Sequence, residues 1–583
     1  MLKNKKKKRT GYFFGKKNSL TPWGKSSGLI LALLFLYSMA AAAVVKTPAE
    51  ESNYTRYSQN EDISRFLSVL ASQAPELTVQ IVGQSQGVEN FPAMNIYLCI
   101  LSEERAAGPQ SLNRHKPTFL LTASQHGNEQ SAKEAALWLI RDLAQGDLKP
   151  LLSKMNFLII PQTNPYGNFF DRRQNELGLD MNRDHIKLET EGVQSIHRVF
   201  AAWMPEVTMD VHEKGDDFYR VSIGCVSNIN IGPSLQEFSR SKILAQVEES
   251  LKKRNLTFHE YLVEEEMGVN TASGANLKPE ETAGKEMMKR YSTTDLNDSR
   301  NSLGIFETLS FIQEGASRGD ITTLRERTAW QYHGIRSFSE AVAGRGNEIL
   351  TLVRGVRETL LAKAKAYSET DLVHLRMDFA RDEKNPTLTI QEFANSDSEI
   401  EGVLKTDKKA GEVVAAADLA PYPYPARQMV VTRVIKNWFP EVVPRLSVPR
   451  PLGYIIRSAH LDVVETMLRL GIELAMLVRD LPLEVEAYEV GEGVPSKHDY
   501  LAPEKIEVIQ RNLQTIAKRG DFFVSCAQPA ANLIPALLEP QSDFGFIRYW
   551  KFRLVPEKGD LFAFYRLTKK TDLPVVPYEP WGK

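Results

Sequence analysis

Continuous apolar runs alternate with amphipathic stretches between about residues 50 and 345. MNIYLCIL (94–101), TFLLTA (118–123), NFLIIPQ (156–162), VTMDV (207–211), YRVSIGCV (219–226) and LGIFETL (303–309) read as strands. Residues 129–144, 190–203 and 234–253 carry helical periodicity between them, and a further helical pattern covers 321–366. Strands apolar along their whole length are covered on both faces, the habit of parallel sheets flanked by helices. The pattern therefore predicts an α/β domain over 50–345, with a mixed, largely parallel central sheet and helices on both faces.

Beyond it the pattern changes. Residues 346–425 read as a helical extension and connector, polar and then rich in Ala and Pro. Over 426–583 the elements mix: strand 451–458, helix 460–472, strand 483–490, then a strand and a helix within 520–540. This predicts a smaller C-terminal α+β accessory domain, and no catalytic motif stands out in it. With 583 residues the chain exceeds one ordinary compact domain, so two domains suit its length.

Net charge is −1, but it is unevenly placed. Residues 1–42 hold nine Lys or Arg and no acid, which leaves 63 basic against 73 acidic residues in the remainder, a net of −10. An acidic body does not suit nucleic-acid binding, which needs a basic surface. The basic stretch precedes GLILALLFLYSMAAAAVV (28–45), the order of a secretory signal, with a cleavage site expected within 40–44. Residues 1–43 thus read as a signal peptide, or as an N-terminal anchor if uncleaved, and the protein as exported to a periplasmic or extracellular space. Membrane contact is expected only through that segment. Cys99, Cys225 and Cys526 lie in apolar runs and read as small buried hydrophobes rather than a disulfide framework.

The candidate chemistry collects where strands end, as ligand sites do in open parallel sheets. His126 and Glu129 follow the run 118–123, His212 follows 207–211, and Glu307 lies in 303–309. Two His and one Glu are a known catalytic zinc set that leaves one position open. Glu307 then suits the general base that takes a proton from a water at the metal. Taken alone, His-x-x-Glu is more often a loop and a helix cap than a ligand pair. Between the ligand segments, NPYGNFFDRRQNELGLDMNRDH (164–185) supplies Arg172, Arg173, Asn182 and Arg183. Arginine forks grip carboxylates bidentately, although surface ion pairing also explains such residues.

Four motifs in order, HGNE, NPYGNFFDRRQN…DMNR, DVHEKG and GIFETLS, resemble the zinc metallocarboxypeptidases of the carboxypeptidase A type over roughly 60–340. The resemblance implies one zinc per chain on His126, Glu129 and His212, with Glu307 as base. It implies that Arg173 polarises the scissile carbonyl, that Asn182 and Arg183 bind the terminal carboxylate, and that Asp180 supports a zinc histidine. The spacing from Glu129 to His212 suits compact bacterial members. Tyr291 is the candidate substrate-capping tyrosine, in a polar stretch (265–302) that also reads as a surface loop. Glu213, beside His212, reads as structural or as a support behind the ligands.

The expected function is hydrolysis of the C-terminal peptide bond of a peptide with a free carboxylate. Two rivals stand beside it. One is a peptidoglycan stem-peptide carboxypeptidase or amidase with the same zinc site. The other is a catalytically silent peptide- or cell-wall-binding protein.

Overall fold

The computed structural model describes residues 44–266, 287–316, 319–394, 430–499 and 501–579. The expected signal or anchor (1–43) lies outside them, as does much of the connector. Among the described residues no helix is long and apolar enough to cross a membrane.

The strands run in chain order as β1 (Leu77–Gln84), β2 (Asn95–Leu101), β3 (Thr118–Ala123), β4 (Asn156–Ile160), β5 (Val207–Glu213), β6 (Val221–Cys225), β7 (Phe258–Glu260), β8 (Leu262–Glu266), β9 (Met287–Tyr291) and β10 (Leu309–Gly315). Eight of them form one sheet in the order β1-β2-β4-β3-β5-β10-β6-β7, and β8 and β9 pair separately. The central four, β4, β3, β5 and β10, are mutually parallel. Antiparallel pairs β1–β2, β2–β4 and β6–β10 flank them. Every residue of the central four is buried, which accounts for their unbroken apolar character.

Helices Gln130–Ala144 and Glu191–Trp203 form where the periodicity predicts them. The 321–366 pattern forms two helices, Leu324–Gly344 and Gly346–Lys363, which break at Arg345 between two glycines. The three cysteines are free and buried.

One element departs from expectation and moves a site residue. The run 303–309 is not a strand. Residues Ser299–Gly304 form a short helix whose N-cap, Asp298, accepts from the Asn301 N–H at 2.7 Å. An Asp cap satisfies an otherwise orphaned donor, and here that local chemistry overrides the apolar run. The strand starts only at Leu309, so Glu307 precedes it and Glu314 lies near its far end.

The C-terminal region is β-rich. A seven-stranded sheet orders Lys505–Ala517, Leu481–Val494, Phe564–Leu567, Gly453–Ile456, Phe522–Ser525, Ala475–Leu477 and Val575–Pro577. The expected helix at 460–472 forms over Leu461–Arg469. One apolar core runs from Ile63 to Phe564 and includes Tyr454, Val463 and Phe546 beside the residues of the large sheet.

Candidate metal centre

β3 and β5 are adjacent and parallel, with Ala123 opposite Val211. Their carboxyl ends therefore open at the same edge. Past β3 the chain turns through Ser124 in the left-handed region (φ 62°). It then delivers His126 and Glu129 just before the helix that starts at Gln130. Glu129 occupies that helix's N-cap position, yet its side chain makes no capping bond. Its carboxylate turns to the histidines instead: Oε1 is 2.9 Å from His126 Nδ1, and Oε2 is 2.8 Å from His212 Nδ1. The three ligand atoms lie within 4.8 Å of one another, and all three residues are buried.

The donors fit a cation. Each imidazole has a carboxylate behind it: Asp180 Oδ1 is 3.0 Å from His126 Nε2, and Asp210 Oδ2 is 2.5 Å from His212 Nε2. With a cation held by the three residues, each Nε2 would donate to its carboxylate and each Nδ1 would turn a lone pair to the ion. The two Nδ1 atoms lie 3.1 Å apart, beside the Glu129 carboxylate. Against burial, Asp210 and Glu129 raise the His212 pKa, so the surroundings favour positive charge here, and two His nitrogens with a Glu oxygen are a zinc set. Burial alone would raise the Glu129 pKa, but the histidines hold it well below the usual carboxylate range.

Around the triad, Asp180 ties two groups together, since its Oδ2 accepts from Arg173 Nε at 2.9 Å. Arg173 Nη1 reaches within 3.1 Å of His126 Nδ1 and 3.7 Å of Glu129 Oε1. Asn182 Nδ2 is 3.3 Å from His212 Nε2, while Asn182 Oδ1 accepts from the Ser299 N–H at 3.0 Å. Arg183 follows it, half-buried, with Nη1 donating to the Asn182 carbonyl at 2.6 Å. Arg172, by contrast, is exposed and lies over Phe170.

Residues 63–204 match the zinc carboxypeptidase family model. The chain is 23% identical over 530 residues to Carboxypeptidase 2 of Trichophyton tonsurans, covering 87% of this chain and 86% of that one. The figures are the same for Carboxypeptidase 2 of Trichophyton rubrum. The chain carries a zinc carboxypeptidase domain. Two solved structures are also similar. One is a metallo-carboxypeptidase from Burkholderia cenocepacia (18% identity, 50% of this chain and 70% of that one, TM-score 0.35). The other is the carboxypeptidase A from Helicoverpa armigera (15%, 54% and 81%, TM-score 0.37).

Not every expected residue of the zinc carboxypeptidase site comes to the triad. Glu307 does not. β10 runs parallel to β5 with Leu309 opposite Val207, so Glu307 lies before the amino end of the strand. At about 3.3 Å per residue, the opposite edge is roughly 20 Å away. There Glu307 accepts from the Gly232 N–H at 2.8 Å and from Asn532 Nδ2 at 2.9 Å. It lines a cavity of about 610 Å³ with His374, Arg450 and Asn532. Burial pushes its pKa up to about 7, against those two hydrogen bonds.

The carboxylate that does reach the triad is Glu314. It stands opposite His212 in the β5–β10 register and is buried, and its Oε2 accepts no hydrogen bond among the described residues. Burial raises its pKa, His212 pulls it down and Glu129 pushes it up. Sequence reasoning missed Glu314 because it placed the strand too early. It also missed Asp210, although Asp210 and His212, two apart on a strand, share one face.

Tyr291 is not brought to the triad either. Its ring packs edge-on against Trp438 at 5.0 Å, with the Arg240 guanidinium 4.5 Å away over its face. The tyrosine beside Glu314 is Tyr261, whose buried phenol is raised by burial and by that carboxylate. Glu213, the neighbour of His212 on β5, is buried. It points away from the triad and accepts two bonds of 2.8 Å from Arg327 Nη1.

Proposed function

We propose that this chain is an exported exopeptidase that hydrolyses the last peptide bond of peptides bearing a free C-terminal carboxylate, with Glu314 as its general base. The observation that carries this reading is the meeting of three kinds of group at one sheet edge. These are a metal triad, an Asn182–Arg183 pair whose Asn182 touches His212, and a buried carboxylate on the next strand with an oxygen that has no partner among the described residues.

Bound zinc on His126, Glu129 and His212 supplies a Lewis acid and lowers the pKa of water held there. The chain's residues do the rest. Asn182 and Arg183 dock the terminal carboxylate, for which a guanidinium fork is the natural partner. Arg173, held by Asp180, directs its donors to the scissile carbonyl, where negative charge develops as water attacks. Glu314 accepts the proton of the attacking water and hands it to the leaving amine. A carboxyl whose pKa is raised by burial is a better base than an exposed one and gives up the proton more readily than a strong base would. Asp180 and Asp210 orient the two imidazoles.

The test is metal content together with hydrolysis of blocked dipeptides. The wild type is expected to hold about one zinc and to release the C-terminal amino acid. C-terminally amidated versions of the same peptides should be poor substrates. Equal cleavage of free and amidated peptides would sink the exopeptidase reading and leave the metal site standing.

A further inference from the structure

We propose that the β-rich C-terminal region is a positioning part of this active site, with Arg548 holding Arg183 in place through Asp295 and Asn297. The proposal rests on the reading above that Arg183 docks the substrate carboxylate.

The connection is short and buried at each step. Arg548 ends the turn Phe546–Arg548 and is 1% exposed. Its fork grips Asp295, Nη1 to Oδ1 at 2.8 Å and Nη2 to Oδ2 at 3.1 Å. Asp295 Oδ1 also accepts from the Asn297 N–H at 3.1 Å. The Asn297 side chain then spans the docking segment. Its Nδ2 donates to the Arg183 carbonyl at 2.6 Å, and its Oδ1 accepts from the Ile186 N–H at 3.0 Å. One amide thus holds the backbone at both ends of 183–186. The C-terminal region grips the next residue as well. Asp499 Oδ2 accepts from Lys187 Nζ at 3.2 Å, and Lys551 Nζ donates to the Lys187 carbonyl at 3.3 Å.

This placement has a mechanical consequence. Arg183 lies in a one-turn segment, Met181–Arg183, with no long helix or strand to hold it. A long side chain amplifies any shift of its backbone, and misplacement of about 1 Å at a docking group costs up to about a hundredfold. A two-bonded guanidinium–carboxylate pair resists rotation better than a single-point ammonium contact. The C-terminal region, which contributes none of the triad, therefore sets the position of the carboxylate clamp from behind.

The experiment is a double-mutant cycle on the full chain with a blocked dipeptide carrying a free carboxylate. Arg548→Met is expected to raise KM about tenfold with kcat within about threefold and zinc content unchanged. Arg548→Lys, which keeps the charge and loses the fork, should fall between. Arg183→Met should raise KM by a larger factor, and adding Arg548→Met to it should raise KM no further, because the two act through one contact. Equal increments in both backgrounds, or a loss of kcat and zinc without a change in KM, would overturn the proposal. Should Arg548→Met fail to fold, Asn297→Ala carries the same cycle with the ion pair intact. An unchanged KM in Arg183→Met would sink the docking reading itself, whereas a raised KM there and none in Arg548→Met would sink only the clamp.

Discussion

Glu314 and Glu307 are both buried carboxylates, and their surroundings assign them different work. Glu314 faces two histidines with one oxygen unbonded among the described residues, and Glu307 has both oxygens engaged in holding Gly232 and Asn532. Glu314→Gln is expected to lower kcat by about 10²–10⁴ with zinc retained, the range for a lost general base. Glu307→Gln should keep kcat within about twofold. Metal analysis beside steady-state kinetics on both variants decides between them. Glu307 should show instead in stability. Its pKa is 4.5 ordinarily and about 7 here, so below about 4.5 it is protonated in folded and unfolded chains alike. As pH rises toward 7 the unfolded chain ionises first, and folding loses up to about 3 kcal/mol. Urea midpoints from pH 4.5 to 8 should fall in the wild type and flatten in Glu307→Gln. Asp210→Asn belongs to the same scale: it leaves the triad intact but unseats the His212 tautomer, and zinc affinity should drop about 10–100-fold in a competition titration.

Among the elements, the loop from β3 to the helix at Gln130 depends on one glycine. A Cβ on Gly127 would stand 2.0 Å from the Gly167 carbonyl carbon and 2.4 Å from the Arg172 carbonyl oxygen, both backbone atoms. Gly127 therefore lets the ligand loop lie on the segment that carries Arg173. Gly127→Ala is expected to part them, and reduced zinc occupancy with a lower Tm should show it. Much at this scale was legible. Buried parallel strands read as unbroken apolar runs, and Thr118–Ala123 and the helix at 130–144 stand within a residue of their predicted bounds. The run 303–309 was not, because apolar content alone does not separate a strand from a short buried helix. The Asp298 cap was the overlooked signal, and missing it drew the reading to Glu307 and away from Glu314, which stands opposite His212 in the strand register.

Over the whole molecule, the apolar core is continuous between the large sheet and the C-terminal region. Buried polar ties add to it. Arg548 pairs with Asp295, and Asn532 bonds both Glu307 and the Asn230 carbonyl. Breaking a buried pair at one side costs about 3–5 kcal/mol, a large part of an ordinary domain's stability. A chain ending at residue 394 is therefore expected to lose cooperative thermal unfolding, which circular dichroism would show. A sharp transition near the wild-type Tm would refute it.

The sequence by itself determined what depends on neighbours along the chain: the buried strands, the main helices, and the histidines and glutamate that suit zinc. These follow from local periodicity and donor chemistry, which each stretch carries with it. Tertiary structure alone decided which carboxylate meets the triad and what stands behind Arg183. Each of those depends on strand register or on contacts between residues hundreds of positions apart, and neither is written in any single stretch of chain.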